Sequence, residues 1–489
     1  MLSKVKSFGL SGLEGFMVTV EVDVSASLPA CEIVGLPDAA VRESKERVRS
    51  AIKNSGFDYP VGRITVNLAP ADMKKEGSIY DLPIALGIIS ATGQLKGPMP
   101  DYIYLGELAL DGSIRGLLPM VISASAQGYD TFVVPSANAP ETSYISSVTA
   151  YGAASLKEAV DIINSGGRAV PWEKKQWSPK RISYHNDFED IKGQYGAKRA
   201  AEIAAAGGHN MLLVGTPGSG KTMLAKSMPS ILPELTFNEA LEITKIQSIT
   251  GIMEAGEGIA SERPFRSPHH SASTAALVGG GQKAMPGEIS KDVLESLRQP
   301  LEDGVVTITR ASAKATYPAD FMLIAAMNPC PCGYYGSRMQ ECRCKPYEIA
   351  KYRNRISGPL LDRLDMHVEM AEVGYSDITS NKPGESSAAI RERVDEARRI
   401  QRERYKKDGI ICNAQLSARL VKKYCVPDEN GQRLMRQAYE RLNLSARAYN
   451  RVMKVARTIA DLSGGGDITY EHIAEAIQYR TVDKKYWGE

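Results

Sequence analysis

Residues 215–222 read GTPGSGKT, and no other stretch restricts the fold of this 489-residue chain so strongly. Gly215, Gly220, Lys221 and Thr222 fit G-x-x-x-x-G-K-[ST], a loop whose glycines let backbone N–H groups close around phosphate oxygens. The apolar run Asn210–Val214 before it reads as a buried strand, and Met223–Met228 after it as a helix. A glycine loop between a strand and a helix N-terminus is an anion site, because unpaired N–H groups and the helix dipole face the ligand. Thr216, Pro217, Gly218 and Ser219 complete the candidate nucleotide loop. Lys221 is placed to reach the outer phosphates and Thr222 to ligate magnesium, so ATP and Mg2+ are the expected cofactors.

A chain this long exceeds one hydrophobic core, and two to four domains are expected. Its 43% hydrophobic and 24% charged content is that of an ordinary globular protein, and a net charge of +3 neither demands nor excludes nucleic acid. No apolar run approaches the roughly 20 residues of a membrane helix. The opening MLSKVKSFGLSGLEGF lacks an apolar signal core, which points to the cytoplasm and away from membranes. Seven cysteines, an odd number, argue against a disulfide framework.

The chain divides by pattern into three units and a linker. Residues 1–165 read as mixed α/β: strands at Phe16–Val24, Cys31–Gly35, Ile64–Leu68 and Thr131–Pro135, helices at Val41–Ser55, Leu82–Thr92 and Ser155–Asn164, and a hairpin from Tyr102–Leu110 through Gly112 and Ser113. Residues 166–186 carry Gly, Pro and charge without periodicity, as a linker does. Residues 187–372 hold the phosphate loop on what should be a parallel sheet, with an alanine-rich helix at Ala197–Ala206. Residues 385–489 are helical, with helices expected at Ala388–Lys407, Arg433–Leu442, Ala446–Leu462 and Tyr470–Arg480.

Three further residues suit an ATPase. Asn328 ends the apolar run Phe321–Met327, where an asparagine either orients attacking water beside the γ-phosphate or caps a turn. Arg363 sits in LLDRLD, the setting of an arginine that stabilises transition-state charge in a neighbouring subunit; alternatively it pairs with Asp362 or Asp365. Arg447 follows Ser445-Ala446 at the opening of a helix, from which an arginine can touch the γ-phosphate.

With those motifs the chain resembles an AAA+ ATPase of the magnesium-chelatase-like group, and in particular the ComM/YifB family. The likeness is carried by the segment from VGLPDAAVRESKERVRS to LPIALGI and by RPFRSPHHSAS, PGEIS, DVLESLRQPLEDG, NPCPCGYYG, YRNRISGPLLDRLD and LSARAYNRVMKVARTIADL. The resemblance implies an α+β Lon-protease-like domain, a P-loop AAA+ core and an α-helical lid. It also implies a homo-hexameric ring acting on DNA, in branch migration during natural transformation. In related rings the insertion after the P-loop helix lines the central channel, which makes Arg263, Arg266, His269 and His270, with Arg310 and Lys314, candidates for sequence-independent phosphate contacts. The alternatives are a nucleotide-dependent assembly factor that does not hydrolyse ATP, and a magnesium-chelatase subunit.

One expected part has no counterpart. A Walker B strand, apolar and ending in Asp and usually Glu, belongs between the P-loop and Asn328. Ala275–Val278 runs into Gly279, and Val305–Ile308 into Thr309 and Arg310. In the family a segment carrying that strand follows PGEIS; here Ser290 abuts Lys291. The reading is an AAA+ sheet that lacks its Walker B strand, with hydrolysis impaired through loss of a magnesium ligand and of the group that polarises water.

Two clusters remain. Cys330-Pro331-Cys332 and Cys342-Arg343-Cys344 are separated by nine residues, a set that suits tetrahedral zinc or stands as reduced thiols. Lys75-Glu76-Gly77-Ser78-Ile79 resembles the turn before a Lon-type nucleophile, but the nucleophile position falls on Ile79, so the first domain reads as non-proteolytic.

Overall fold

The computed structural model describes residues 1–11, 13–115, 119–179, 184, 186–249, 258–267, 296–310, 313–379 and 384–487. His269, His270 and the Ser290–Lys291 junction lie outside them. The chain forms two compact units: Met1–Lys180 with Leu235–Glu262 and Thr307–Tyr317, and Arg181–Glu234 with Arg263–Val306 and Pro318–Glu489.

The first unit is built on β1 (Leu2–Ser11), β2 (Glu14–Ser25), β3 (Ala30–Val34), β4 (Arg63–Ala69) and β5 (Ile103–Tyr104). A small hairpin of β6 (Glu107–Leu108) and β7 (Ile114–Arg115) follows, then β8 (Thr131–Pro135) and β9 (Thr149–Ala153). The main sheet has seven strands in the order β3-β4-β2-β1-β5-β8-β9. β1, β2 and β4 pair antiparallel and the other neighbours parallel, so the domain is mixed α/β. The helix Asp81–Ala91 lies in the core with ten of its residues buried, which explains its nearly continuous apolar sequence. The expected hairpin at 102–113 is shorter than its apolar run: only Leu108 and Glu107 pair across it, to Ile114 and Arg115, while Ile103 and Tyr104 join the main sheet. β1 escapes the alternation test because two of its inward positions are serines. Ser3 and Ser7 are buried, and the Ser7 hydroxyl donates to the Tyr104 carbonyl at 3.0 Å.

The second unit is a helix-wrapped parallel sheet. β10 (Met211–Gly215) is followed by a two-stranded ribbon of β11 (Val305–Arg310) and β12 (Ala313–Pro318), most of which clusters with the first unit. β13 (Ile324–Met327) and β14 (Met366–Met370) flank β10 in the order β13-β10-β14, all parallel. Every residue of β10 is buried, as a central strand of a parallel sheet must be. The helix Tyr195–Gly207 packs against β14, its small alanine side chains allowing close approach of helix to strand.

Four helices of the helical region begin with a side-chain cap. Ser386 accepts from Ala389 N–H, Ser417 from Leu420, Asp428 from Gly431 and Ser445 from Ala448. Such caps contribute about 1 kcal/mol each and mark the helix starts in the sequence. Asp461, 1% exposed, ties the region together: its carboxylate accepts from Arg404 at 2.5 and 2.9 Å, from Arg457 at 3.1 Å and from Asn413 at 2.9 Å. Asp461→Ala leaves two mostly buried guanidinium groups without a counter-charge. It should cost about 3–5 kcal/mol, read as earlier urea unfolding and faster amide exchange in Ser387–Tyr405 and Ala446–Leu462.

Candidate nucleotide site

β10 delivers the chain to the phosphate loop. Gly220 adopts φ +90 and caps the helix Lys221–Ile231, a left-handed turn that side chains rarely take. The Lys221 ammonium folds onto the loop, donating to the carbonyls of Gly215 and Thr216 at 2.7 Å each, with Ser219 Oγ at 3.4 Å. Burial lowers its pKa from the ordinary lysine value. Thr222 is exposed at the first turn of the helix, where a magnesium ligand would need to be. Gln194, itself left-handed at φ +55, donates to Ser219 O at 3.0 Å and Ala371 O at 2.5 Å, tying the loop to the chain just after β14.

The parallel register places Met327 opposite Val214, so Asn328 emerges beside the start of the loop. Two residues later the cysteine loop begins. A methyl group on Gly333 would stand 2.6 Å from Pro217 Cγ and 3.6 Å from Asn328 Nδ2, so this loop lies directly on the phosphate loop. Its four thiols converge: the sulfur atoms of Cys330, Cys332, Cys342 and Cys344 all lie within 4.8 Å of one another, three of the separations being 3.4, 3.6 and 3.7 Å. Four sulfurs about 2.3 Å from a common centre stand roughly 3.8 Å apart on a tetrahedron, so the cluster suits a single metal ion. The backbone N–H of Tyr334 and, to a lesser degree, that of Arg343 hold the Cys332 thiol down to about 6, favouring the thiolate a metal requires.

The two candidate arginines meet on a carboxylate that sequence reasoning had assigned no role. Glu302, on the helix Arg298–Asp303, pairs with Arg363 Nη2 and accepts from Arg447 Nη2 at 3.1 Å. Arg363 is 7% exposed and also donates to the carbonyls of Arg298 at 3.0 Å and Pro359 at 2.6 Å. Its acidic partner is thus Glu302, sixty-one positions away, and neither Asp362 nor Asp365. Asp365 is instead paired with Arg451 and accepts from the Asn210 N–H at 2.9 Å. Burial pushes the Asp365 carboxyl up, but Arg451 and His209 outweigh it and hold it well below the usual carboxylate range. Burial in turn lowers the pKa of His209, which shares a 2.7 Å hydrogen bond with Thr458.

Of the candidate DNA contacts, Arg263 donates to the carbonyls of Pro233 at 2.8 Å and Glu234 at 3.4 Å, which fixes its guanidinium on its own chain. Arg266 is exposed. Arg310 and Lys314 lie on β11 and β12 of the ribbon. Gln194, Glu302 and Gly333 were given no role in the sequence, because the local pattern around a glutamine, a helix glutamate or a loop glycine does not say what it will touch.

Comparison with known proteins shows the family. Models described as "Subunit ChlI of Mg-chelatase", "Magnesium chelatase, subunit ChlI" and "Magnesium chelatase, subunit ChlI C-terminal" match residues 20–138, 187–378 and 384–480. The competence protein ComM of Haemophilus influenzae is 41% identical over 98% of both chains. The chain belongs to the ComM/YifB family of magnesium-chelatase-like proteins. YifB of Escherichia coli is also 41% identical, over 99% of this chain and 98% of its own. An archaeal Lon protease from Methanothermobacter thermautotrophicus is 38% identical over 99 residues, 18% of this chain and 15% of that one, a likeness confined to a short stretch. Membership of the family implies use of nucleotide and Mg2+ and an AAA+-like fold, consistent with the parallel sheet and its helices. Among the described residues no helix is long and apolar enough to cross a membrane.

The sign of the Asp365 shift sets a pH dependence. A carboxylate depressed in the folded state stabilises above its ordinary value near 3.9, and that contribution is lost as pH falls through the folded value. Asp365→Asn should therefore destabilise the second unit by about 3 kcal/mol at pH 7, with the gap from the parent narrowing below about pH 4 in urea titrations.

Proposed function

We propose that this chain is an ATP-binding AAA+ protein of ComM type that assembles as a homo-hexamer in the cytoplasm and works on DNA, with slow or no hydrolysis of the bound nucleotide. The observation that carries the reading is the phosphate loop: a buried central strand, a left-handed Gly220 and the Lys221 ammonium gathered on the loop. ATP is bound there with Mg2+ on Thr222, Asn328 beside the loop acts on the attacking water, and the four cysteines hold zinc. Arg363 and Arg447 answer to nucleotide charge, Arg363 in a neighbouring subunit once it leaves Glu302. DNA is the partner because relatives at this identity include a competence protein, and because Arg266 and the ribbon bearing Arg310 and Lys314 supply cationic residues for backbone phosphates. The first domain is Lon-like without protease chemistry. Ile79 is buried, the Ser78 hydroxyl is bonded to Glu107, and the Lys75 ammonium sits on the carbonyls of Pro70 and Met73.

Slow hydrolysis rests on the missing Walker B strand. Among the described residues β13 is an edge strand, apolar in sequence yet only partly buried, whereas β10 is buried throughout, an arrangement compatible with that reading. A nucleotide-dependent assembly factor is the second reading.

Lys221→Ala should weaken binding of a fluorescent ATP analogue by at least about a hundredfold, the expected cost of a desolvated charge-assisted contact of ~3 kcal/mol. Undiminished affinity would remove the nucleotide reading. Steady-state turnover should fall on the order of a hundredfold below that of a relative retaining its Walker B acids, with or without branched DNA. Turnover equal to such a relative's would show that water is activated by other groups.

A further inference from the structure

We propose that the four-cysteine cluster is a metal site whose occupancy shapes the phosphate loop, so that the chain's affinity for nucleotide depends on a metal ion the nucleotide never touches. The proposal rests on the ATP and zinc readings above and adds a coupling between them.

The coupling follows from where the cysteine loop is anchored. At its start, Cys330 lies two residues past Asn328, which β13 delivers beside β10. At its middle, Gly333 leaves no room between the loop and Pro217: its φ is +88, and an added methyl would overlap the proline ring at 2.6 and 2.7 Å. A second path runs through Glu372, which accepts from Ser337 Oγ at 2.5 Å and from the Arg338 N–H at 3.2 Å. Glu372 adjoins Ala371, whose carbonyl holds Gln194, and Gln194 holds the Ser219 carbonyl of the phosphate loop. Arg353 clamps the outer side, donating to Pro329 O at 3.2 Å and lying 4.6 Å from the Tyr335 ring centroid.

Residues 329–345 contain no helix or strand: short turns such as the Gly333 N–H to Cys330 O and Ser337 N–H to Tyr334 O bonds at 3.0 Å shape the loop, and the two Cys-x-Cys pairs meet through their sulfurs and the Cys332 N–H to Cys344 Sγ bond at 3.4 Å. An ion shared by the four sulfurs crosslinks the two pairs, a closure that thiols merely in contact do not supply. With the ion bound, the loop is a rigid wedge under Pro217 and Asn328. Without it the two ends separate, Gly333 backs away, and the phosphate loop and the Asn328 side chain lose their support. The nucleotide-competent shape of the loop then becomes a minor population, and apparent affinity falls by that fraction.

The test uses the purified full-length chain. Zinc per chain is measured by plasma mass spectrometry, and affinity for a fluorescent ATP analogue is measured with Mg2+ in excess. The measurement is repeated after removal of zinc with a chelator that leaves Mg2+ in place, and again after zinc is restored. The expected result is one zinc per chain, a loss of about tenfold in affinity on removal, and recovery on restoration. Gly333→Ala separates wedge from metal: it should keep its zinc and still lose affinity, even if a Cys344→Ser variant fails to fold. Zinc bound but affinity unchanged by its removal overturns the coupling while leaving both parent readings intact. Absence of stoichiometric zinc overturns the metal reading and the coupling with it. Failure of the zinc-loaded chain to bind the ATP analogue overturns the nucleotide reading instead.

Discussion

The pairing of β10 between β13 and β14 is the interaction on which the second unit depends. Five consecutive buried residues give the strand no alternative to a central position, since an edge would expose both its apolar side chains and its backbone groups. Parallel pairing then sends all three strands out at the same end. The phosphate loop, Asn328 with the cysteine loop, and Ala371 with its hold on Gln194 are consequences of that single arrangement. This is the general position of ligand sites in open parallel sheets, at the carboxyl ends of the strands.

Charge organises the surrounding helices. Asp461, Asp365 and Glu302 each hold an arginine from a segment distant in sequence: Arg404, Arg451, and Arg363 with Arg447; Asp461 also pairs with Arg457 on its own helix. The first two carboxylates are buried and act as fixed struts, because removing either partner strands a charge away from water. Glu302 is half exposed and binds the two arginines that sequence reasoning placed near the γ-phosphate. An arginine held this way must exchange one anion for another before it can serve a nucleotide, and exchange is cheaper than charging an empty site.

Much of the architecture was legible in the chain. The phosphate loop, the alanine-rich helix before it and the capped helices after Ser386, Asp428 and Ser445 all carry local signals: glycines at fixed spacing, a serine or aspartate at each start, a period of 3.6. Where expectation failed, the cause was also local. Ser3 and Ser7 hid β1 because buried serines look like solvent positions in a sequence; the Ser7 hydroxyl is satisfied by the Tyr104 carbonyl. The expected 102–113 hairpin gave up Ile103 and Tyr104 because a β-rich run does not say which sheet will take it. Arg363 found Glu302, a partner no spacing rule reaches.

By itself the sequence determined that this chain carries a strand–glycine loop–helix segment of phosphate-binding pattern, holds four cysteines within fifteen residues of one another, and has an asparagine and two arginines in ATPase-like sequence settings. These are properties of neighbours along the backbone, where steric and hydrogen-bonding preferences act within a turn or two. Only the tertiary structure decided that Gly333 lies against Pro217, that Gln194 clasps the phosphate loop to Ala371, and that Glu302 gathers Arg363 and Arg447. Those contacts join residues up to 177 positions apart, and they exist because burying β10 leaves its neighbours a single way to pack.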